Sequence, residues 1–115
     1  MSGTDKDPAL LSHILECMKR IEENIAQGRD AFMASHTLQD AVIRNLQVLS
    51  ESTQRLSPTI KATQPQIDWR AIAAFRNVLV HDYLGLDLEQ IWSVIRSDLP
   101  PLKGALISMS GQRTA

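Results

Sequence analysis

Arg76, His81 and Tyr83 stand within eight residues of one another, in the order R-x4-H-x-Y. An arginine guanidinium is permanently charged and makes forked hydrogen bonds to phosphate oxygens. A histidine imidazole titrates near neutrality and can take a proton from a ribose 2′-hydroxyl or give one to a leaving oxygen. A phenol hydroxyl can orient a phosphate or polarise a neighbour, and it can itself be modified. A phosphate clamp, a proton carrier and a hydroxyl are the groups that a nuclease working without a metal requires. Asn77 and Asp82 lie inside the same stretch. Asp82 either fixes the orientation of a base or faces water, and Asn77 is a candidate for lining the same cleft.

The spacing carries a geometric condition. On an ideal helix of about 3.6 residues per turn, Arg76 and Tyr83 lie about 20° apart, whereas His81 lies about 140° from Arg76. A single straight helix therefore does not put all three on one face. Either the helix loosens before Gly85, or the site is assembled across a two-fold dimer axis.

The elements that must position these groups read as helices. Leu11, Ile14, Leu15, Met18, Ile21 and Ile25 recur at spacings of three and four. They predict an amphipathic helix over 8–27, with Asp7 as N-cap, Pro8 at its first position and Gly28 as its stop. Glu16, Lys19, Arg20, Glu22 and Glu23 form its solvated face. A short turn follows at 30–33. Ser35 or Thr37 caps a second long helix running to about Leu56, with Leu38, Ala41, Val42, Leu46 and Leu49 as its stripe. Ser57-Pro58 ends that helix or caps a short one through Thr63. Pro65 then breaks the chain, and Asp68-Trp69-Arg70 starts the helix that carries the motif. Asp87 caps a further helix bearing Leu88, Ile91, Trp92 and Ile95. A last helical segment spans about 101–109, with a polar, frayed tail over 110–115. No strand-type alternation competes. The expected fold is all-α, an antiparallel four- to five-helix bundle, as a single domain over 1–115 with its core over about 8–109 and flexible tails.

Composition narrows the chemistry. At 115 residues with 43% apolar content, the chain can bury a real core without crosslinks. The net charge is −1, from 12 basic and 13 acidic side chains, so no global field draws it to nucleic acid or an anionic membrane. RNA contact must come from a local cluster, or one completed by a second subunit. Cys17 is the only cysteine. It sits on the apolar stripe of the first helix and reads as a small core residue. His13 and His36 lie in different segments without ligand-like spacing, so neither a metal site nor a cofactor is expected. Gly-rich phosphate loops and nucleophile elbows are absent. No apolar run approaches the ~20 residues needed to span a bilayer, and a soluble, cytoplasmic protein without a membrane partner is expected.

Arg44 and Asn45 flank the stripe of the second helix. They either line the motif's cleft or bridge helices. Glu51, about two turns further on, either pairs with Arg76 or Arg44 or is a solvated helix charge.

The chain resembles the HepT-like family of HEPN-domain proteins, the toxin half of HepT–MntA toxin–antitoxin modules. The resemblance runs from about Leu11 to Leu102. It rests on the block from Leu38 to Leu46, on Trp69-Arg70-Ala71-Ile72-Ala73, and on Phe75-Arg76-Asn77 with His81-Asp82-Tyr83. Asp87-Leu88, Ile91-Trp92 and Asp98-Leu99-Pro100 complete it. The resemblance implies an all-helical, HEPN-like homodimer whose two motifs face a shared cleft. It implies a metal-independent endoribonuclease acting on RNA, with tRNA or mRNA as the substrate class and Arg76 and His81 as the catalytic pair. It further implies that an MntA-like minimal nucleotidyltransferase antitoxin silences the toxin by AMPylation of Tyr83. Adding a bulky, charged adenylate there would block the cleft and repel an RNA phosphate. The family commonly reads Gly-Glu-Ala where this chain has Ser50-Glu51-Ser52, so helix packing at that point can differ. A different class of protein also fits the near-neutral charge and the wheel geometry, namely a non-catalytic helical module that binds a nucleotide or a protein partner.

Overall fold

The computed structural model describes the backbone of residues 3–81 and 85–114, and side-chain burial over 5–81 and 85–111. Among these the protein is all-α. A 3-10 turn at Gly3–Lys6 leads into α1 (Asp7–Asn24), α2 (Arg29–Ala34), α3 (His36–Arg55), α4 (Pro58–Lys61), α5 (Trp69–His81), α6 (Leu88–Ser97) and α7 (Leu99–Thr114). The five longer helices are the expected ones. The short helix α2 stands where a turn was expected, and α4, capped by Ser57, is the second of the two readings of Ser57-Pro58.

The core forms where the apolar stripes meet. Leu11, Ile14, Met18 and Ile21 of α1 pack with Val42, Leu46 and Leu49 of α3 and with Leu106 and Met109 of α7. Phe32 is fully buried, and its ring centroid lies 5.5 Å from that of Trp92 at a tilt of 35°. Arg96 lies over the Trp92 ring, 5.9 Å from its centroid, within range of a cation–π attraction. Both tryptophans are partly buried against the core, Trp69 donating from Nε1 to the Lys61 carbonyl at 3.2 Å. Cys17 is buried as expected, and that burial pushes its thiol pKa up, opposed by Arg20 and assisted by Glu16.

Three boundaries differ from the sequence expectation for identifiable reasons. α1 ends at Asn24, three residues early. Gly28, with φ of +97°, is the N-cap of α2, its carbonyl accepting from Phe32 N at 3.2 Å. The left-handed φ explains glycine there, so it starts the next helix more than it stops the last one. α7 begins at Leu99 and continues to Thr114, through the segment expected to fray. Pro100 and Pro101 occupy its first turn, where a missing amide costs no intrahelical bond.

Asp7 has a different role from the one its position suggests. It is the first residue of α1, not its cap, and it is fully buried. Its carboxylate accepts from Ser57 N at 2.9 Å and from Ser57 Oγ at 2.6 Å. Ser57 Oγ in turn accepts from Ile60 N at 3.2 Å and caps α4. One carboxylate thus fastens the start of α1 to the α3–α4 junction, across 50 residues of chain. Asp7→Ala would leave the buried Ser57 amide without an acceptor and is expected to destabilise the protein by about 3 kcal/mol. Urea denaturation measures this; an unchanged midpoint would show that the contact contributes nothing.

α3 and α5 pack side by side and antiparallel, because Gln47 sits opposite Leu79 while Glu51 sits opposite Arg76. Ser35 caps α3 through a 3.1 Å bond from Leu38 N, choosing between the two candidates. Asp68 Oδ1 accepts from Ala71 N at 3.0 Å and closes the first turn of α5. Leu79 is the one fully buried side chain of α5. α5 also borders a cavity of about 540 Å³, walled by Leu46 and Leu49 of α3, Phe75 and Val78 of α5, and Val94 and Leu102 beyond.

Candidate active site

α5 stays α-helical through His81, so the helix does not loosen before the histidine. Arg76 and His81 are accordingly not brought together within one copy. Arg76 faces α3, with 27% of its side chain exposed. His81 is the last residue of α5 and is exposed.

The structure does gather a cluster around Arg76. Its Nη2 lies 3.8 Å from Glu51 Oε1, and its Nη1 lies 3.4 Å from Asn77 Oδ1. Its Nε is buried and has no hydrogen-bond partner. Of the two partners offered to Glu51 by the sequence, Arg76 is the one it meets. Arg44 is exposed on α3, and Asn45 donates from Nδ2 to the Ala41 carbonyl at 2.9 Å, back along its own helix. That bond lies within α3 and reaches neither a second helix nor the Arg76 cluster. Asp82 and Tyr83 lie outside the described residues.

One residue that positions the site was not legible beforehand. Gln47 donates from Nε2 to the Leu79 carbonyl at 3.1 Å. It fixes the register of α5 against α3 midway between Arg76 and His81. Its partner lies 32 residues away, and no local signal marks it. Ser50 and Ser52, where the resembled family commonly has glycine and alanine, are both buried, so two hydroxymethyl groups are accommodated in the packing of α3. Among the described residues no group of three His, Cys, Asp or Glu side chains could hold a metal ion. None of the described helices is long and apolar enough to cross a membrane.

Comparison with known proteins gives the family of the chain. The family model described as "Ribonuclease HepT-like" matches residues 14–109, a span that includes α3, α5 and the whole motif. The chain belongs to the ribonuclease HepT-like family. A relative from Thermococcus cleftensis named "Probable ribonuclease HepT" is 34% identical over 105 residues, covering 90% of this chain and 94% of its own. A candidate RNase from Caldanaerobacter subterraneus is 30% identical over 94 residues, covering 81% of this chain and 84% of its own. A protein of Methanocaldococcus jannaschii, whose name pairs a gamma-glutamylcyclotransferase with a candidate RNase, is 35% identical over 100 residues. That match takes in 86% of this chain but spans only 45% of the archaeal protein. No solved structure matches. The all-α architecture agrees with the HEPN-like fold that the family resemblance implied.

Proposed function

We propose that the protein is an endoribonuclease toxin that cleaves RNA without a metal ion, using Arg76 and His81 from a two-fold pair of chains. The observation that carries this reading is the placement of Arg76 at the α3–α5 seam, part-exposed and held by α3, with His81 on the same helix and free toward solvent. Membership of a ribonuclease family supports it.

The chemistry follows from the groups. Arg76 binds the scissile phosphate and stabilises the charge that builds on its oxygens. His81 removes the proton from the ribose 2′-oxygen, which attacks phosphorus. The bond from phosphorus to the 5′-oxygen breaks, and the imidazolium returns its proton to that oxygen. The products are a 2′,3′-cyclic phosphate and a free 5′-hydroxyl. tRNA or mRNA is the substrate class.

A second copy of the chain is supported by the surface of α5. Ile72, Ala73, Ala74, Phe75, Val78, Leu79 and Val80 leave the helix apolar on nearly every side. Helices of that kind belong in a core. Here only Leu79 is fully buried, while Val78 and Val80 are each 40% exposed. Val78 and Val80 stand about 160° apart round an ideal helix, and a two-fold mate seated on the Val80 side would bring the exposed His81 of one copy toward the Arg76 cluster of the other. An MntA-like nucleotidyltransferase antitoxin would then silence the toxin by moving AMP from ATP to Tyr83. The phenolic oxygen bonds to the α-phosphorus and pyrophosphate leaves.

The test is direct. Purified protein incubated with RNA in excess EDTA is expected to give fragments ending in a 2′,3′-cyclic phosphate. Cleavage only after a divalent cation is added would overturn the metal-free mechanism. An absence of cleavage under both conditions would favour the non-catalytic helical binding module.

A further inference from the structure

We infer that Glu51 is a positioning residue for Arg76, holding the guanidinium by its side edge so that its outer edge faces phosphate; this rests on the ribonuclease reading of the site. An arginine side chain has two hydrogen-bonding edges. Nε–H and one N–H of Nη2 point the same way and form the side edge. Nη1 and the other N–H of Nη2 form the outer edge. Nε is buried and unpartnered, and it is the only such side-chain atom among the described residues. A phosphate arriving from solvent does not reach a buried Nε. Across the α3–α5 seam, Glu51 Oε1 stands 3.8 Å from the neighbouring Nη2.

A small rotation of the Glu51 side chain, 60% exposed and able to move, brings its two oxygens opposite Nε and Nη2 in the forked geometry that arginine and carboxylate favour. That rotation removes the orphaned donor, which otherwise costs the fold free energy. It leaves Nη1, now only 3.4 Å from Asn77 Oδ1, and the outer edge of Nη2 for the substrate. The helices set this up. α3 and α5 are held in antiparallel register by the Gln47–Leu79 bond, one turn along α3 from Glu51 and one turn along α5 from Arg76. Glu51 keeps Arg76 from sampling other rotamers before RNA binds, which is an orienting contribution and not a chemical one.

The experiment compares the full chain with Glu51→Ala and Glu51→Gln. Glu51→Ala is expected to lower kcat by about 10- to 100-fold, with KM within about threefold of the parent, because an oriented guanidinium matters most when charge builds in the transition state. Glu51→Gln keeps an oxygen acceptor and is expected to recover part of that loss. Independently of activity, the Arg76 Nε–H resonance is expected to be protected from solvent exchange in the parent and to exchange faster in Glu51→Ala. An unchanged kcat in Glu51→Ala, a glutamine variant no better than alanine, or unchanged Nε–H exchange would each overturn the assignment. If the parent cleaves no RNA, the ribonuclease reading fails, and the Nε–H measurement alone decides whether Glu51 holds Arg76.

Discussion

Replacing His81 with alanine is expected to lower RNA cleavage by about 10²–10⁴-fold, the usual contribution of a positioned proton carrier. The loss should fall on kcat. The binding energy for RNA resides mainly in phosphate contacts, and His81 is a proton carrier more than a phosphate anchor in this reading. Stability should hold, because His81 lies at the exposed end of α5 outside the packed core. Surface substitutions of this kind usually change stability by less than about 0.5 kcal/mol. Single-turnover cleavage of a labelled RNA, read beside a thermal melt, separates the two effects. A His81→Ala protein that melts like the parent and cuts at the parent's rate would remove histidine from the mechanism. Mixing His81→Ala with an Arg76→Ala protein adds a sharper arm. If the site is built from Arg76 of one copy and His81 of the other, mixed dimers keep one intact site and recover part of the activity.

Leu79→Ala is expected to destabilise the protein by about 2–5 kcal/mol, the range for removing a fully buried leucine. Leu79 has no exposed surface, and it is the only side chain of α5 in that state. Ile72, Phe75 and Val78 of α5 line the 540 Å³ cavity, and Val80 is 40% exposed, so these parts of the helix have room that a truncated Leu79 leaves unfilled. The site should suffer with the fold. Leu79 lies between Arg76 and His81, and its carbonyl receives the Gln47 bond that sets the register of α5 on α3. A fall of roughly 10 °C in Tm is the expected reading, with activity lost more steeply on warming than in the parent. A melt within about 2 °C of the parent would mean that α5 is anchored mainly by the face opposite α3, through a second copy.

Much of the architecture was legible in the residues because it follows from local periodicity. The i, i+3, i+4 spacing of Leu11, Ile14, Met18 and Ile21 requires a helix with one buried face, and all four are buried. The caps at Ser35 and Asp87 were likewise local, since a side-chain oxygen meets an amide two or three residues ahead. The pairing of Glu51 with Arg76 was legible only as one of two alternatives, because a helical wheel does not say which neighbouring helix a charge will meet.

The R-x4-H-x-Y spacing by itself determined which chemical groups stand in this stretch, and the family resemblance read from it and its neighbouring blocks anticipated the membership found. Where Arg76 and His81 stand in the fold was decided by the tertiary structure. α5 stays helical through His81, which on an ideal helix stands about 140° round from Arg76. Asp7 with Ser57 and Gln47 with Leu79 connect residues 50 and 32 positions apart. Such bonds exist only because packing first brings distant helices together, and side-chain periodicity along one helix carries no record of its neighbour's register.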